Sequence, residues 1–326
     1  MQAVILAAGK GSRLHPITTS ISKAMLPILG KPIVQRVVEN LAACGLHDFI
    51  LVISPDDHVI RDYFEHESNL EFKLQFVYQP QRLGMADAVK QVAPHIREDF
   101  LLSACDNLVS EKDIRSLVST WKKLPDSHAI LTLIEVSEED ITKSGIITLE
   151  EDRVTSIIEK PLREQTPSNY ASMPLYCFST RILDLISHVK RSSRGEYELQ
   201  DAIQMLIEEG GDVRGLFFKK RFTLTTAADL LEINKHFLYR GAEEWKNTAE
   251  VVGEGTQLIE PLFIERGTVI GSECSIGPNV YIGKNVRIGN KVQLHNVVVL
   301  DNSIISDHRK FMDCVVSINP TSSKPS

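Results

Sequence analysis

Several features that would assign this 326-residue sequence to a broad class are scarce or missing. Its five cysteines lie far apart without a Cys-x-x-Cys pair, which disfavours a zinc site or disulfide framework and favours reduced thiols in a cytoplasmic protein. The 36 Lys and Arg are outnumbered by 43 Asp and Glu, and the net charge of −7 disfavours nucleic-acid and anionic-membrane partners. No apolar run reaches the length of a membrane span, and no signal-peptide pattern follows Met1. The composition therefore predicts a cytoplasmic globular protein.

Short apolar runs alternate with helical patterns in the first half of the chain. Such alternation predicts a mostly parallel sheet with helices on both faces. We therefore expect an α/β fold with a Rossmann-like, doubly wound sheet whose ligands bind at the C-terminal ends of the strands. The predicted strands are 2–8, 49–53, 72–78, 100–104 and 129–136, and the predicted helices are 33–41, 57–64, 85–93 and 111–123.

The C-terminal quarter has a different periodicity. A Leu or Ile recurs every six residues, and glycine follows four of them. A fixed six-residue period predicts a left-handed parallel β-helix with these side chains in its interior. We thus expect a first domain over 1–240, a linker over 241–257, the β-helix over 258–318 and a disordered tail over 319–326. The repeating interior residues are Leu258, Ile264, Ile270, Ile276, Ile282, Ile288, Leu294 and Leu300, with Val280, Val286, Val292 and Val298 at the same period.

The most informative segment follows the first predicted strand. It reads Leu6-Ala7-Ala8-Gly9-Lys10-Gly11-Ser12-Arg13, then Ser22-Lys23-Ala24-Met25-Leu26-Pro27 and Gly30-Lys31-Pro32. Glycines after a strand let backbone N–H groups approach a ligand, and Arg13 and Lys23 supply charge that suits phosphate oxygens. The segment lacks the third glycine of a dinucleotide fingerprint and the Gly-Lys-Ser/Thr ending of a Walker A loop.

This signature resembles that of the sugar-1-phosphate nucleotidylyltransferases, among which glucose-1-phosphate thymidylyltransferases and UTP–glucose-1-phosphate uridylyltransferases are the most similar. The resemblance implies that Leu6, Ala8, Gly9 and Gly11 bind the nucleotide and that Arg13 and Lys23 are catalytic. Gln79 matches the base-reading glutamine, and Gly84 matches the glycine beside base and ribose. A side-chain amide suits the imide edge of uracil or thymine, so dTTP or UTP is the expected nucleotide.

The resemblance also implies a metal and a sugar subsite. Asp106, after the strand ending at Ala104, matches a magnesium-binding aspartate, and a carboxylate with substrate phosphates is a usual Mg²⁺ arrangement. The family's second aspartate is replaced by Thr223, which puts metal affinity and catalysis in doubt. The residues that match the sugar-phosphate set are Gly145, Glu159, Lys160, Asn169 and Tyr176.

The implied reaction joins a nucleoside triphosphate to a sugar 1-phosphate and releases pyrophosphate, with Mg²⁺ as cofactor. The alternative is a weak or inactive family member that senses an NDP-sugar or regulates a partner subunit, which Thr223 motivates. An acyltransferase site on the β-helix is disfavoured, because the repeat is short and His295 stands alone. We expect the β-helix to mediate homo-oligomerisation instead.

Overall fold

The computed structural model describes residues 1–72, 74–240 and 246–317. Within these residues, no helix is long and apolar enough to cross a membrane. The chain divides into two compact units, here called the N-terminal unit (Met1–Lys10 and Val34–Phe222) and the C-terminal unit (Gly11–Ile33 and Thr223–Ser326). This division differs from the predicted boundary at residue 240, because the signature segment Gly11–Ile33 groups with the C-terminal residues.

The secondary structure is given in chain order. The helices are α1 Ile33–Ala43, α2 His58–His66, α3 Met85–Val92, α4 Glu111–Lys123, α5 Glu138–Ile141, α6 Arg181–Ile186, α7 Leu199–Glu208 and α8 Ala227–Arg240. The first strands are β1 Gln2–Leu6, β2 Pro27–Ile28, β3 Lys31–Pro32, β4 Phe49–Ile53, β5 Leu74–Tyr78, β6 Phe100–Ala104, β7 Asn107–Leu108, β8 Ala129–Glu135, β9 Gly145–Glu150, β10 Arg153–Glu159, β11 Tyr170–Phe178, β12 Val213–Phe217 and β13 Phe222–Thr223. The later strands are β14 Lys246–Asn247, β15 Val251–Val252, β16 Gln257–Leu258, β17 Leu262–Ile264, β18 Val269–Ile270, β19 Ser275–Ile276, β20 Val280–Ile282, β21 Arg287–Ile288, β22 Gln293–Val299, β23 Ile304–Ile305 and β24 Lys310–Val316.

The N-terminal unit is built on one sheet with the strand order β5-β4-β1-β6-β11-β8-β12-β10-β9. Strands β5, β4, β1 and β6 are parallel, as predicted. The other half is mixed, because β11 runs antiparallel to β6, β8 and β9. The expectation of a mostly parallel sheet is therefore correct for the first half only. The hairpin of β9 and β10, which turns at Glu151 with a positive φ of 56°, lies beyond the last predicted strand.

The predicted elements of the first half are confirmed to within a few residues. The strands Phe49–Ile53 and Phe100–Ala104 and the helix Glu111–Lys123 have the bounds expected from the sequence. The side chain of Ser110 caps this helix by accepting a hydrogen bond from the Asp113 amide. In β1, Ala3, Val4 and Ile5 are fully buried, as expected for a strand covered on both faces.

The C-terminal unit contains the repeat region, defined here as residues 246–317. Its short strands pair in parallel with the strands of the next coil. Val251 pairs with Val269, and Val269 pairs with Arg287. This step equals three hexapeptides. The interior side chains predicted from Ile264 to Leu294 are buried in one apolar cluster.

The structure differs from the repeat prediction in two details. Paired strands begin at Lys246, so most of the predicted linker belongs to the repeat region, while residues 241–245 and the predicted tail 319–326 lie outside the described residues. The period also shortens near the end, where Val280 pairs with Val297. Because this coil is one residue shorter, Val297 and Val299 fill the interior cluster in place of Val298 and Leu300, and Ile305 continues it.

Candidate functional site

The loop after β1 begins beside the ends of two neighbouring strands. The Cys105 amide donates to the Leu6 carbonyl at 3.1 Å, and the Ala7 amide donates to Val52 at 2.8 Å. The Arg82 side chain donates to the Ala8 carbonyl at 2.7 Å. Gly9 is exposed, and no described atom lies within 4 Å of the place where its Cβ would be. The backbone over Gly9 is therefore open to a ligand.

The second glycine of the signature lies in the C-terminal unit. Gly11 has a φ of +63°, and its carbonyl accepts a hydrogen bond from the Thr18 hydroxyl at 2.9 Å. A Cβ at Gly11 would lie 2.9 Å from Cβ of Lys23, so the structure brings these two residues into contact. Arg13 is exposed on the short 3-10 turn Ser12–Leu14 that follows Gly11. A side chain at position 11 would displace Lys23.

Gln79 follows β5 and is only 4% exposed. Its Nε2 donates to the Gly84 carbonyl at 3.0 Å and to Oδ2 of Asp87 at 2.8 Å. Asp87 lies in the first turn of α3 and also accepts from Gln91 at 3.4 Å. Because Nε2 has two hydrogen-bonding partners, the amide is held in one orientation and Oε1 is the atom left to meet a donor.

Gly84 connects this region to the segment 194–198, which precedes α7. The φ of Gly84 is +106°, and a Cβ there would lie 2.5 Å from the Tyr197 carbonyl oxygen and 3.1 Å from Cβ of Glu196. The Tyr197 amide donates to the Leu83 carbonyl at 2.6 Å. Glycine at position 84 is therefore required by the close approach of the chain itself.

Asp106 follows β6 and is 6% exposed. The Arg221 guanidinium interacts with the Asp106 carboxylate. Burial lowers the pKa of Arg221, and the negative charge of Asp106 partly offsets this effect. No group of three or more His, Cys, Asp or Glu suited to a metal occurs among the described residues. One buried carboxylate fits a Mg²⁺ ion that takes its other ligands from substrate phosphates and water. In the neighbouring Asn107, Oδ1 is buried and has no hydrogen-bond partner among the described residues.

Four of the predicted sugar-phosphate residues come together where β9, β10 and β11 meet. A Cβ at Gly145 would lie 3.0 Å from Oε2 of Glu159, 3.0 Å from Oγ of Ser172 and 3.2 Å from Cγ of Gln200. Oε2 of Glu159, Oε1 of Gln200 and the hydroxyl of Tyr176 are buried without a hydrogen-bond partner among the described residues. We call Gly145, Glu159, Ser172, Tyr176 and Gln200 the polar cluster. Buried polar atoms without partners are costly, so their convergence indicates a site that a polar ligand completes.

Two cations border the polar cluster. Nζ of Lys160 and a guanidinium nitrogen of Arg194 each lie 3.4 Å from Oε1 of Glu159. Arg194 also pairs with Glu198 at 2.7 Å. Burial raises the pKa of Glu159, and the charges of Lys160 and Arg194 partly offset this effect. Burial also raises the pKa of Tyr176.

The segment 194–198 therefore contacts both parts of the site in the N-terminal unit. Its Tyr197 and Glu196 lie against Gly84, and its Arg194 reaches Glu159. One short segment thus links Gly84, which accepts a hydrogen bond from Gln79, to Glu159 of the polar cluster.

Comparison with known proteins identifies the family. The nucleotidyl transferase family model matches residues 2–247, and a model described as the GMPPB C-terminal domain matches residues 258–323. This chain belongs to the nucleotidyl transferase family. It is 32% identical over 211 residues to the UTP–glucose-1-phosphate uridylyltransferase AglF of Haloferax volcanii, which covers 64% of this chain and 85% of that protein. The resemblance drawn from the signature is confirmed.

Other relatives of this nucleotidyl transferase have different names. The bifunctional protein GlmU of Methanococcus maripaludis is 30% identical over 276 residues, covering 83% of this chain, although the chain spans only 62% of the length of GlmU. A glucose-1-phosphate thymidylyltransferase of Streptomyces griseus is 29% identical over 281 residues, covering 85% of this chain and 77% of that protein. The crystal structure of apo UDP-glucose pyrophosphorylase is similar with a TM-score of 0.66 and 25% identity, covering 73% of this chain and 98% of that chain.

Two further predicted site residues of this nucleotidyl transferase are not members of the polar cluster as defined above. Asn169 precedes β11, and its amide donates to Glu135 at 2.9 Å. Thr223 lies in the C-terminal unit, as the last residue of β13.

Sequence reasoning missed several residues that the structure places in the site. They are Arg82, Asp87, Ser172, Arg194, Glu198, Gln200 and Arg221. One stretch of the sequence could have pointed to some of these residues, because it holds charged residues and an amide close to a glycine. It is Arg194-Gly195-Glu196-Tyr197-Glu198-Leu199-Gln200. Polar side chains on strands, such as Ser172, carry no such signal.

Proposed function

We propose that this nucleotidyl transferase transfers a nucleotidyl group from a nucleoside triphosphate to a sugar 1-phosphate, giving an NDP-sugar and pyrophosphate. The names of its relatives, uridylyltransferase and thymidylyltransferase of glucose 1-phosphate, support this reaction. The observation that carries the proposal is the polar cluster, whose three buried oxygens have no hydrogen-bond partner in the part of the chain that the structure describes.

The polar cluster suits a sugar because its carboxylate and amide oxygens accept hydrogen bonds from hydroxyl groups. Oε2 of Glu159 and Oε1 of Gln200 are acceptors, and the Tyr176 hydroxyl can donate or accept. Glycine at position 145 lets Glu159, Ser172 and Gln200 pack this closely around the backbone, since a Cβ there would lie within 3.2 Å of all three side chains. Lys160 and Arg194 at the edge of the cluster would bind the sugar phosphate.

The chemistry needs no general base. The second proton of a phosphate monoester has a pKa of about 6, so the attacking sugar-phosphate oxygen is largely ionised at neutral pH. This oxygen attacks the α-phosphorus in line with the leaving pyrophosphate, and the protein contributes positioning and charge neutralisation. Lys160 and Arg194 would hold the acceptor, and we assign Arg13 and Lys23 to the triphosphate, with Leu6, Ala8, Gly9 and Gly11 as backbone contacts of the nucleotide.

Asp106 would hold a Mg²⁺ ion together with substrate phosphates. When bound, the ion neutralises charge on the phosphates. Arg221 near Asp106 already compensates part of that carboxylate's charge. We therefore expect weak Mg²⁺ binding in the absence of nucleotide.

UTP or dTTP is the favoured donor because of the orientation of Gln79. Its amide nitrogen is held by Gly84 and Asp87, so its oxygen faces the base as an acceptor. Uracil and thymine present an N3–H donor to such an oxygen, whereas cytosine N3 and adenine N1 are acceptors. Guanine also has an N–H on this edge, so GTP belongs in the test.

The test measures pyrophosphate release with UTP, dTTP, GTP, CTP and ATP against a panel of sugar 1-phosphates. We expect turnover with UTP or dTTP and little with CTP or ATP. Lys23→Ala and Arg13→Ala should lose most turnover while remaining folded. Turnover with ATP or CTP at the UTP rate would exclude the base assignment, and normal rates for both variants would exclude the catalytic assignment.

A regulatory or sensing role is the second candidate, and the replacement of a carboxylate by Thr223 favours it. It predicts binding of an NDP-sugar without turnover by the parent protein. Calorimetry with UDP-glucose beside the turnover assay distinguishes the two candidates, because an enzyme must show both binding and turnover.

We also propose that the repeat region is a left-handed parallel β-helix that mediates homo-oligomerisation in the cytoplasm. Val251 and Ile304 support self-association, since they are 52% and 62% exposed on the outer strands of one four-stranded stack. The five free cysteines suit a reducing compartment. Changing both Val251 and Ile304 to Glu should lower the mass measured by light scattering, and an unchanged mass would count against this surface.

A further inference from the structure

The end of the signature segment forms a small hairpin within the C-terminal unit. Strands β2 and β3 pair through Pro27 with Pro32 and Ile28 with Lys31. The turn between them, Leu29–Gly30, has positive φ at both residues, 45° and 79°. The Ile33 amide closes the hairpin by donating to the Leu26 carbonyl at 3.0 Å. Leu26 and Ile28 are fully buried, so this turn packs as part of a core.

Asn234 of α8 holds this hairpin from one side. Its Oδ1 accepts from the Leu29 amide at 3.0 Å, and its Nδ2 donates to the Pro27 carbonyl at 3.1 Å and to the Leu230 carbonyl at 2.9 Å. Asn234 is 1% exposed. Only a side chain with both a donor and an acceptor can make this set of bonds, so neither Asp nor Leu can replace it without loss.

The repeat region holds the hairpin from another side. A Cβ at Gly30 would lie 1.9 Å from Oε1 of Glu265 and 3.7 Å from the ring of Phe263. Both side chains of the repeat region therefore pack directly on the glycine. Glu265 is only 9% exposed, which is unusual for a glutamate in a repeat whose outward positions are mostly polar. On the same stack of strands, the aromatic residues Phe263 and Tyr281 are also buried, at 6% and 1% exposure.

The hairpin is connected to Lys23 by a short hydrogen-bonded stretch of backbone. The Leu26 amide donates to the Lys23 carbonyl at 3.2 Å, and the Met25 amide donates to Ser22 at 2.9 Å. Lys23 in turn lies against Gly11. A shift of the hairpin would therefore move Lys23 and the backbone at Gly11 together.

We propose that Asn234 and Glu265 are positioning residues, which act through the hairpin to hold Lys23 in its productive place. The repeat region then contributes to turnover as well as to any assembly. This inference rests on the proposed function in one respect, the assignment of Lys23 to the triphosphate.

The test is a double-mutant cycle between Lys23 and each positioning residue. Asn234→Asp puts an oxygen opposite the Pro27 carbonyl, and Glu265→Gln removes the charge with little change of shape. Misplacement by about 1 Å can cost roughly 100-fold in rate, so we expect kcat to fall about 10- to 100-fold in folded Asn234→Asp and by a smaller factor in Glu265→Gln. KM for the sugar 1-phosphate should stay within about two-fold, because its assigned residues lie elsewhere. Lys235→Ala and Arg287→Ala, exposed on α8 and β21, are the matched controls.

The cycle separates positioning from general support of the fold. If Asn234 acts through Lys23, then adding Asn234→Asp to Lys23→Ala causes no further loss of kcat. Two results would overturn this inference and leave the proposed function standing. One is an equal loss of kcat when Asn234→Asp is added to the parent and to Lys23→Ala. The other is a normal kcat in both Asn234→Asp and Glu265→Gln when Lys23→Ala is inactive. Normal kcat in Lys23→Ala would instead remove the role assigned to Lys23, and the inference with it. If the parent shows no turnover, the proposed function fails, and the same cycle is read from UTP affinity by calorimetry with the same criteria.

Discussion

Two buried side-chain amides show how differently the two units use polarity. Asn234 in the C-terminal unit makes three hydrogen bonds to backbone groups. Gln200 in the N-terminal unit is 4% exposed, yet its Oε1 has no partner among the described residues. Because an unpaired buried oxygen costs free energy, it persists where a ligand supplies the missing bond. The comparison therefore separates an amide that builds the protein from one that the proposed function assigns to the substrate.

Asn234→Leu should have the largest effect on stability. It removes the acceptor of the Leu29 amide and the donor to the Pro27 carbonyl, and removing one partner of a buried hydrogen bond costs about 1–3 kcal/mol. We expect the free energy of unfolding in urea to fall by roughly 2–5 kcal/mol. Lys235→Leu, at the exposed neighbouring position, is the control and should change it little. Equal stability of the two variants would show that the amide bonds contribute nothing.

Gln200→Leu should affect substrate binding and leave stability intact. It removes an oxygen that has no partner in the free protein, so the free energy of unfolding should stay the same or rise. The loss of one hydrogen bond to the sugar should raise KM for the sugar 1-phosphate roughly ten-fold, with KM for the nucleotide unchanged. A stability loss like that of Asn234→Leu would mean that Gln200 is structural and that the comparison fails.

Glu159 should make stability depend on pH. Burial raises its folded-state pKa above the ordinary value, so the folded protein binds the proton more tightly than the unfolded chain. Stability contributed by the protonated form is therefore present below about pH 4.3 and is lost as pH rises through the raised pKa. Glu159→Gln should flatten this decline of Tm with pH. A parallel decline in parent and variant would assign it to another group.

Asp87→Asn should have the smallest effect, on base selection alone. It replaces one carboxylate oxygen of Asp87 with an NH2 group that can donate to Oε1 of Gln79, which lets the amide of Gln79 adopt either orientation. The proposed hydrogen bond between the Gln79 amide and the base joins two neutral groups and contributes about 1 kcal/mol. The preference for UTP over CTP should therefore fall roughly five-fold. Gln91→Met removes the other donor to Asp87 and is the matched control. An unchanged UTP-to-CTP ratio in Asp87→Asn would show that Asp87 does not orient Gln79.

The local elements were largely accessible from the sequence. The strand Phe100–Ala104 and the capped helix Glu111–Lys123 follow from short-range patterns, since burial on both faces and the Ser110 cap act within a few residues. The glycine at position 84 was also recognised, but its reason was incomplete: the backbone of Tyr197, more than a hundred residues away, excludes any side chain there.

The sequence by itself determined the family, through the ordered signature Gly9 to Pro32, and the interior of the repeat region, through its six-residue period. Only the tertiary structure decided which polar atoms have no hydrogen-bond partner among the described residues, such as Oε1 of Gln200 and Oε2 of Glu159, because satisfaction of a hydrogen bond depends on every neighbour at once. It also decided that the signature hairpin belongs to the C-terminal unit, where Asn234 and Glu265 meet it. Contacts between residues more than 200 positions apart leave no periodic trace in the chain, so they emerge only when it folds.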